Sequence, residues 1–449
     1  MPKIVLIGAG SVVFAQKLII DLITFPALRE SVFSLVDIDE ERLELITQLT
    51  ERLKEQQDLP ITVEASTNRR EVLKDADYVI NMIQVGGLDA YRLDVEIPRK
   101  YGIDQTVGDT LGPGGVFRAL RTVPVLLEIC RDIEELCPDA LLINYSNPMA
   151  MLCWSINKST KVKNVGLCHS VQGTARTLAE FIGVKVDDST KYEDETSEFF
   201  YKPMPPDVDY WVAGINHQAW FLEFRYKGED AYPLLWKAME NPEIYQQEIV
   251  RFEIMKHFGY FVTESSHHMS EYVPYFRKNP EVIKKFIPKR WDYYEICKQG
   301  LDPYLDKIRR QIRGEIPIEI KRSLEYGAYI INSIETGELS RINGNVQNTD
   351  LITNLPQNCC VEVPCLVDKL GIHPCYVGDL PPQLAALNRT NINVQEAAVE
   401  GILQKNKKLI YEAIYLDPLT SAVLSLDEIK NMVDEMFEVE KEYLPDYWF

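Results

Sequence analysis

The first forty residues confine this chain to few folds. An apolar run at 3–7 leads directly into Gly8-Ala9-Gly10-Ser11, an amphipathic stretch follows over 11–23, and a second apolar run over 32–37 ends in Asp37 before a helical stretch at 39–53. Strand, glycine turn, helix and strand make a βαβ unit with parallel strands. The two glycines let backbone amides and the helix N-terminus meet a pyrophosphate. The third glycine of the usual dinucleotide fingerprint is missing, since Val13 stands there. An acid at the end of the second strand can hold the ribose hydroxyls of an adenosine half, which favours NAD over NADP. The competing reading has Asp37 capping the next helix, a job for which Asp39 is equally suited.

Further buried strands are expected at 78–84, 141–145 and 162–167, with a helix at 148–157 between the last two. The fold class is therefore α/β: a Rossmann-type, mostly parallel sheet with helices on both faces, followed by a mixed α+β second domain. The chain's 449 residues exceed the usual size of a single core. Between 186 and 207 the composition turns acidic and proline-bearing with no sustained period, which marks an excursion between domains. The expected division is 1–186 for the nucleotide-binding domain and 187–449 for the second. The latter shows an apolar run at 210–215 and helical stretches at 244–258 and 427–442. Its polar residues must fold back over the carboxyl edge of the sheet to act on a ligand there.

With 68 Asp plus Glu against 48 Lys plus Arg, the formal charge is −20, which repels nucleic acid and anionic lipid. No run approaches the roughly twenty apolar residues of a membrane span, and the chain enters its first strand without a basic stretch and apolar h-region. A soluble, cytoplasmic protein is expected. The nine cysteines are too scattered for a disulfide framework, and Cys359, Cys360, Cys365 and Cys375 lack CxxC spacing. Cys168-His169 is different, because it lies just beyond an apolar strand where a thiolate and an imidazole would face the crevice. About 49 residues later, Gly214-Ile215-Asn216-His217 ends another apolar run. The two ends can converge on one divalent ion, although a lone Cys-His pair is more often structural.

The order of these features resembles glycoside hydrolase family 4. The resemblance rests on Gly8-Ala9-Gly10-Ser11 with Phe14, the run from Gly108-Asp109-Thr110 to Gly115, Asn144-Tyr145-Ser146-Asn147-Pro148, Cys168-His169-Ser170-Val171, Gly214-Ile215-Asn216-His217, and Asn354-Leu355-Pro356 with Val361-Glu362-Val363. It implies a tightly held NAD and a divalent cation, commonly manganese, with Cys168 and His217 as ligands and Asn81 as a further cofactor contact. NAD-dependent members of that family stand outside the paired-carboxylate scheme of other glycosidases. The implied cycle is oxidation of the sugar at C3, elimination across C1–C2, addition of water and reduction. By the same analogy Tyr326, in Glu325-Tyr326-Gly327-Ala328, is the candidate base at C2. His169 is the candidate acid on the leaving oxygen, with hydrogen bonding to a sugar hydroxyl as the alternative. Asp109, Asn147, His268 and Glu271 are candidate substrate contacts. The Cys-His-Ser-Val form and the segment from Gly259 to Ser266 resemble the alpha-galactosidase members. Alpha-galacturonidase and alpha-glucosidase are the alternatives within the family, and a lactate/malate-type dehydrogenase is the alternative outside it. A homodimer or homotetramer is implied.

Overall fold

The computed structural model describes residues 1–186 and 205–449. Most of the acidic stretch expected to separate two domains, 187–204, lies outside the described residues. Twelve strands are found among those described: β1 Lys3–Ile7, β2 Val32–Val36, β3 Thr62–Ser66, β4 Tyr78–Asn81, β5 Leu141–Asn144, β6 Lys163–Gly166, β7 Val208–Ile215, β8 Gln218–Tyr226, β9 Glu229–Asp230, β10 Ser340–Gln347, β11 Cys360–Asp368 and β12 Gly371–Pro374. They form one sheet in the order β3-β2-β1-β4-β5-β6-β10-β11-β7-β8-β9, with β12 paired to β11.

The first six strands are parallel. Their central members are apolar without alternation, as strands covered on both faces must be, and β4 is buried along its whole length. From β10 onward the pairing is antiparallel. The second half thus extends the first half's sheet, and one apolar core runs from Ile4 to Trp448. A smaller core, including Val171, Phe221, Phe252 and Phe261, packs on β7 and β8.

Several expected elements differ in extent. The strand expected at 78–84 stops at Asn81, because the chain turns through Gly86 and Gly87, both at positive φ, into the helix Gly87–Lys100. The helix expected at 244–258 is two helices, Pro242–Tyr245 and Ile249–Phe258, parted at Glu248. There the backbone leaves helical geometry and the carboxylate accepts from Ser266. The last long helix runs Leu426–Val439, started by a reciprocal capping box between Ser425 and Glu428.

One row of paired residues crosses the sheet from Ile7 through Asn81, Asn144, Gly166, Asn345 and Glu362 to Gly214. Ile7 directly precedes the glycine turn, Cys168 lies two residues past Gly166, and His217 lies three past Gly214. The row brings the separated motifs to one edge.

Candidate active site

The glycine turn is tight for stated reasons. Gly8 has φ +88°, and a Cβ there would stand 2.9 Å from the Met82–Ile83 backbone. Gly8 and Ala9 both donate to the Val36 carbonyl, at 2.9 and 3.0 Å, which ties the turn to β2. A Cβ on Gly10 would meet the Asp37 carboxylate at 2.6 Å. Asp37 accepts from Gly10 N at 2.6 Å and from Asp39 N at 2.9 Å, while Asp39 caps the following helix by accepting from Arg42 N. The capping job therefore belongs to Asp39, and Asp37 borders the turn. Ser11 is exposed and makes no side-chain cap on the helix Val12–Ile23. Asn81, fully buried, donates to Asn144 Oδ1 (2.8 Å) and Ser146 Oγ (3.1 Å), and its own Oδ1 has no protein partner.

Cys168 and His217 meet: Nε2 and Sγ are 3.2 Å apart. A third group joins them that the motifs did not disclose. Glu264 Oε1 lies 3.6 Å from His217 Nε2 and 3.8 Å from Cys168 Sγ, and the three ligand atoms all fall within 4.8 Å of one another. Glu264 holds a left-handed backbone with φ 71°, a conformation that costs a non-glycine residue energy and is found at functional sites. Burial, opposed by Glu264, lowers His217 to about 4, so the imidazole is neutral at pH 7 with a lone pair free for ligation. Burial and the neighbouring Glu264 and Glu362 push the Cys168 thiol far up. A thiolate in that place requires a cation beside it. Thiol, neutral imidazole and carboxylate are together a donor set that fits a divalent transition-metal ion.

His268 borders this cluster. Its Nδ1 lies 3.5 Å from Glu264 Oε2, its ring centroid 4.8 Å from that of His217, and its Nε2 2.9 Å from Thr110 Oγ1. Burial would lower it, yet Glu264, with Glu271 and Asp109, outweighs burial and raises it to about 9. Thr110 Oγ1 also bonds the Tyr272 hydroxyl at 2.7 Å, and that hydroxyl accepts from His217 N at 3.3 Å. Asp109 is buried: Oδ2 accepts from Asn147 Nδ2 at 2.9 Å, and Oδ1 is unpaired, 3.9 Å from His268 Nε2. The loop bearing Asp109 and Thr110 packs closely because a Cβ on Gly115 would lie 2.5 Å from the Thr110 backbone.

Three further candidates surround this grouping. The His169 side chain is 71% exposed, with Nδ1 3.7 Å from the buried Glu325, whose carboxyl is raised by burial and lowered in part by His169. The Tyr326 phenol is raised by burial, by Tyr210 and by Glu362 of the strand row. It is buried, its side chain is hydrogen-bonded to Tyr210 near the start of β7, and His217 follows the end of that strand. Glu271 is no open substrate contact, because both its oxygens are taken by residues 105–108. Sequence reasoning missed Glu264, Thr110 and Tyr272. Thr110 lies beside Asp109 in the run from Gly108 to Gly115, and Glu264 and Tyr272 lie in a stretch, 263–272, rich in polar groups.

A glycine turn of dinucleotide type and a largely buried Cys–His–Glu cluster define an α/β protein whose fold and metal-ligand chemistry meet at one sheet edge. The chain belongs to the family 4 glycosyl hydrolases: the family model matches residues 3–184 and the model of the family's C-terminal domain matches residues 212–420. It is 42% identical to an alpha-galactosidase of Bacillus subtilis over the full length of both chains. It is 37% identical to an alpha-galactosidase of Rhizobium meliloti, covering 99% of this chain and 89% of that one. Its fold is that of a 6-phospho-alpha-glucosidase from gut microorganisms solved in complex with NAD and Mn2+, at TM-score 0.81 and 20% identity over 99% of each chain.

Proposed function

We propose that this chain is an NAD- and divalent-metal-dependent alpha-galactosidase that hydrolyses small alpha-D-galactosides such as melibiose. The observation that carries the reading is the Cys168–His217–Glu264 cluster, set on the same strand row as the glycine turn. The names of the two relatives favour galactosides over the other sugars of the family. Gly8, Ala9, Gly10, Ser11, Asp37 and Asn81 would hold NAD, and Cys168, His217 and Glu264 would hold the cation, manganese by analogy. When bound, the nicotinamide supplies reversible hydride acceptance at C3 and the cation supplies positive charge beside the C2 and C3 oxygens.

The chain's own residues do the rest. Asp109, with one oxygen held by Asn147 and the other without a hydrogen-bond partner, accepts from sugar hydroxyls, and the His268 imidazolium, held between Glu264 and Thr110, sets a positive charge beside it. The base at C2 is a hydroxyl within the cluster. We assign it to Tyr272 in place of Tyr326, since both phenols are raised by burial and only Tyr272 contacts Thr110 and His217. His169, exposed and next to Cys168, protonates the leaving oxygen, with Glu325 beside its ring. Asn147 positions Asp109.

We further infer a cytoplasmic homodimer or homotetramer, supported by the resemblance to the family. No helix among the described residues is long and apolar enough to cross a membrane. The test is hydrolysis of nitrophenyl alpha-galactoside with and without NAD, Mn2+ and a thiol reductant. Activity that requires NAD and Mn2+ supports the reading. Full activity in enzyme stripped of both contradicts it.

A further inference from the structure

The Glu271 side chain is 1% exposed, and its carboxylate is enclosed by one short stretch of chain more than 160 residues earlier. Oε1 accepts from Thr106 N at 2.6 Å, Thr106 Oγ1 at 3.1 Å and Val107 N at 2.9 Å. Oε2 accepts from Gly108 N at 2.9 Å and Gln105 Nε2 at 3.4 Å. Successive backbone N–H groups converging on one anion form a nest, and here the protein supplies the anion itself. A buried carboxylate is tolerable only when its lone pairs are met in this way.

Arg277, fully buried, ties the same two segments a second time. It donates to Ser270 Oγ at 2.6 Å, Asp104 O at 2.5 Å, Thr106 Oγ1 at 3.0 Å and His267 O at 3.1 Å. The clasped loop continues at once into Asp109 and Thr110, while the segment that supplies the clasp carries Glu264, His268 and Tyr272. Gly108 sits at φ +58°, so the loop has a conformation that an ordinary residue would resist.

We infer that Glu271 is a positioning residue for the hydrolytic reaction, an inference that rests on the function proposed above. By gripping three consecutive amides it fixes the register between the 105–110 loop and the 264–272 segment. Asp109 and Thr110 are thereby set against His268 and Tyr272. Misplacement of such groups by about 1 Å can cost a hundredfold in rate.

Glu271→Gln keeps the shape but turns an NH2 group toward backbone N–H donors. In enzyme carrying NAD and Mn2+, kcat for nitrophenyl alpha-galactoside is expected to fall about tenfold to a hundredfold, with KM little changed. Hydrogen exchange at the amides of residues 106–108 should quicken. A glutamate that only stabilised the fold would lower Tm and leave kcat of the folded enzyme unaltered, and that result would overturn the inference. Thr106→Val is the milder second variant, removing the hydroxyl shared by Glu271 and Arg277 while leaving the three amides bonded. It should give a smaller fall in kcat, and an unchanged kcat in that folded variant also overturns the inference. The exchange measurement needs no substrate, so the two failures are distinguishable. A wild-type protein inactive on alpha-galactosides refutes the proposed function, whereas unaltered exchange in Glu271→Gln refutes the clasp.

Discussion

Replacing Glu264 by Gln removes one negative charge from the cluster while changing almost no volume. In metal-free protein its clearest effect should be on His268, whose Nδ1 lies 3.5 Å from the Glu264 carboxylate. At an effective dielectric of about 20, two unit charges at that separation attract by ~5 kcal/mol, enough to move a pKa by about 3. Burial acts against this attraction, and the balance leaves His268 at about 9 rather than 6.5. The sign follows from a histidine that gains a partner on folding. Its stabilisation is fully present below pH 6.5, declines above it, and is lost as pH rises through about 9; the span corresponds to ~3 kcal/mol. Glu264→Gln should move His268 down from about 9 toward 6.5, since burial is then opposed only by Glu271 and Asp109, and should diminish that alkaline loss of stability. Imidazole NMR titration distinguishes His268 among six histidines, and urea unfolding at pH 6.5 and pH 9 gives the energy. A His268 midpoint near 9 in the variant, or near 6.5 in the wild type, would refute the reasoning.

Cys168→Ser exchanges a thiol that can ionise beside a cation for a hydroxyl that stays neutral, and should weaken Mn2+ binding at least about tenfold. NAD binding, measured by calorimetry, should persist because the glycine turn is untouched; equal loss of both would make Cys168 a structural residue. Tyr272→Phe and Tyr326→Phe separate the two candidate bases. The first should lower kcat by about 10²–10⁴. The second should cost only about 1 kcal/mol of stability through the lost bond to Tyr210, and a reversed outcome in steady-state kinetics would return the role to Tyr326.

The parallel half was legible because its strands are short apolar runs separated by helical periods, and because Gly8 and Gly10 mark the turn between the first pair. Cys168 and His217 were legible for a related reason: each closes an apolar strand, where ligands gather in an α/β sheet. Glu264 was hidden, since it occupies a loop without periodicity and its alignment with Cys168 depends on a left-handed backbone. Glu271 was recognised as belonging near the site, but not for its task, because its partners are backbone amides that no side-chain pattern announces. Tyr326 presents the opposite case. Its motif is plain, yet the residue stands at the start of the helix Gly327–Thr336 with its phenol bonded to Tyr210. The antiparallel extension was also unforeseen, because β10 and β6 share a single paired position, Asn345 with Gly166, across a long sequence separation.

The central claim is hydrolysis through elimination, and the hydrogen at C2 tests it most directly. An alpha-galactoside hydrolysed in deuterated water, in the presence of NAD and Mn2+, should yield galactose carrying solvent deuterium at C2. The hydrogen at C3 should be retained, because that hydride leaves and returns within the site. A glycosidase working through paired carboxylates never breaks the C2–H bond. Rapid hydrolysis giving galactose with no deuterium at C2 would contradict the account.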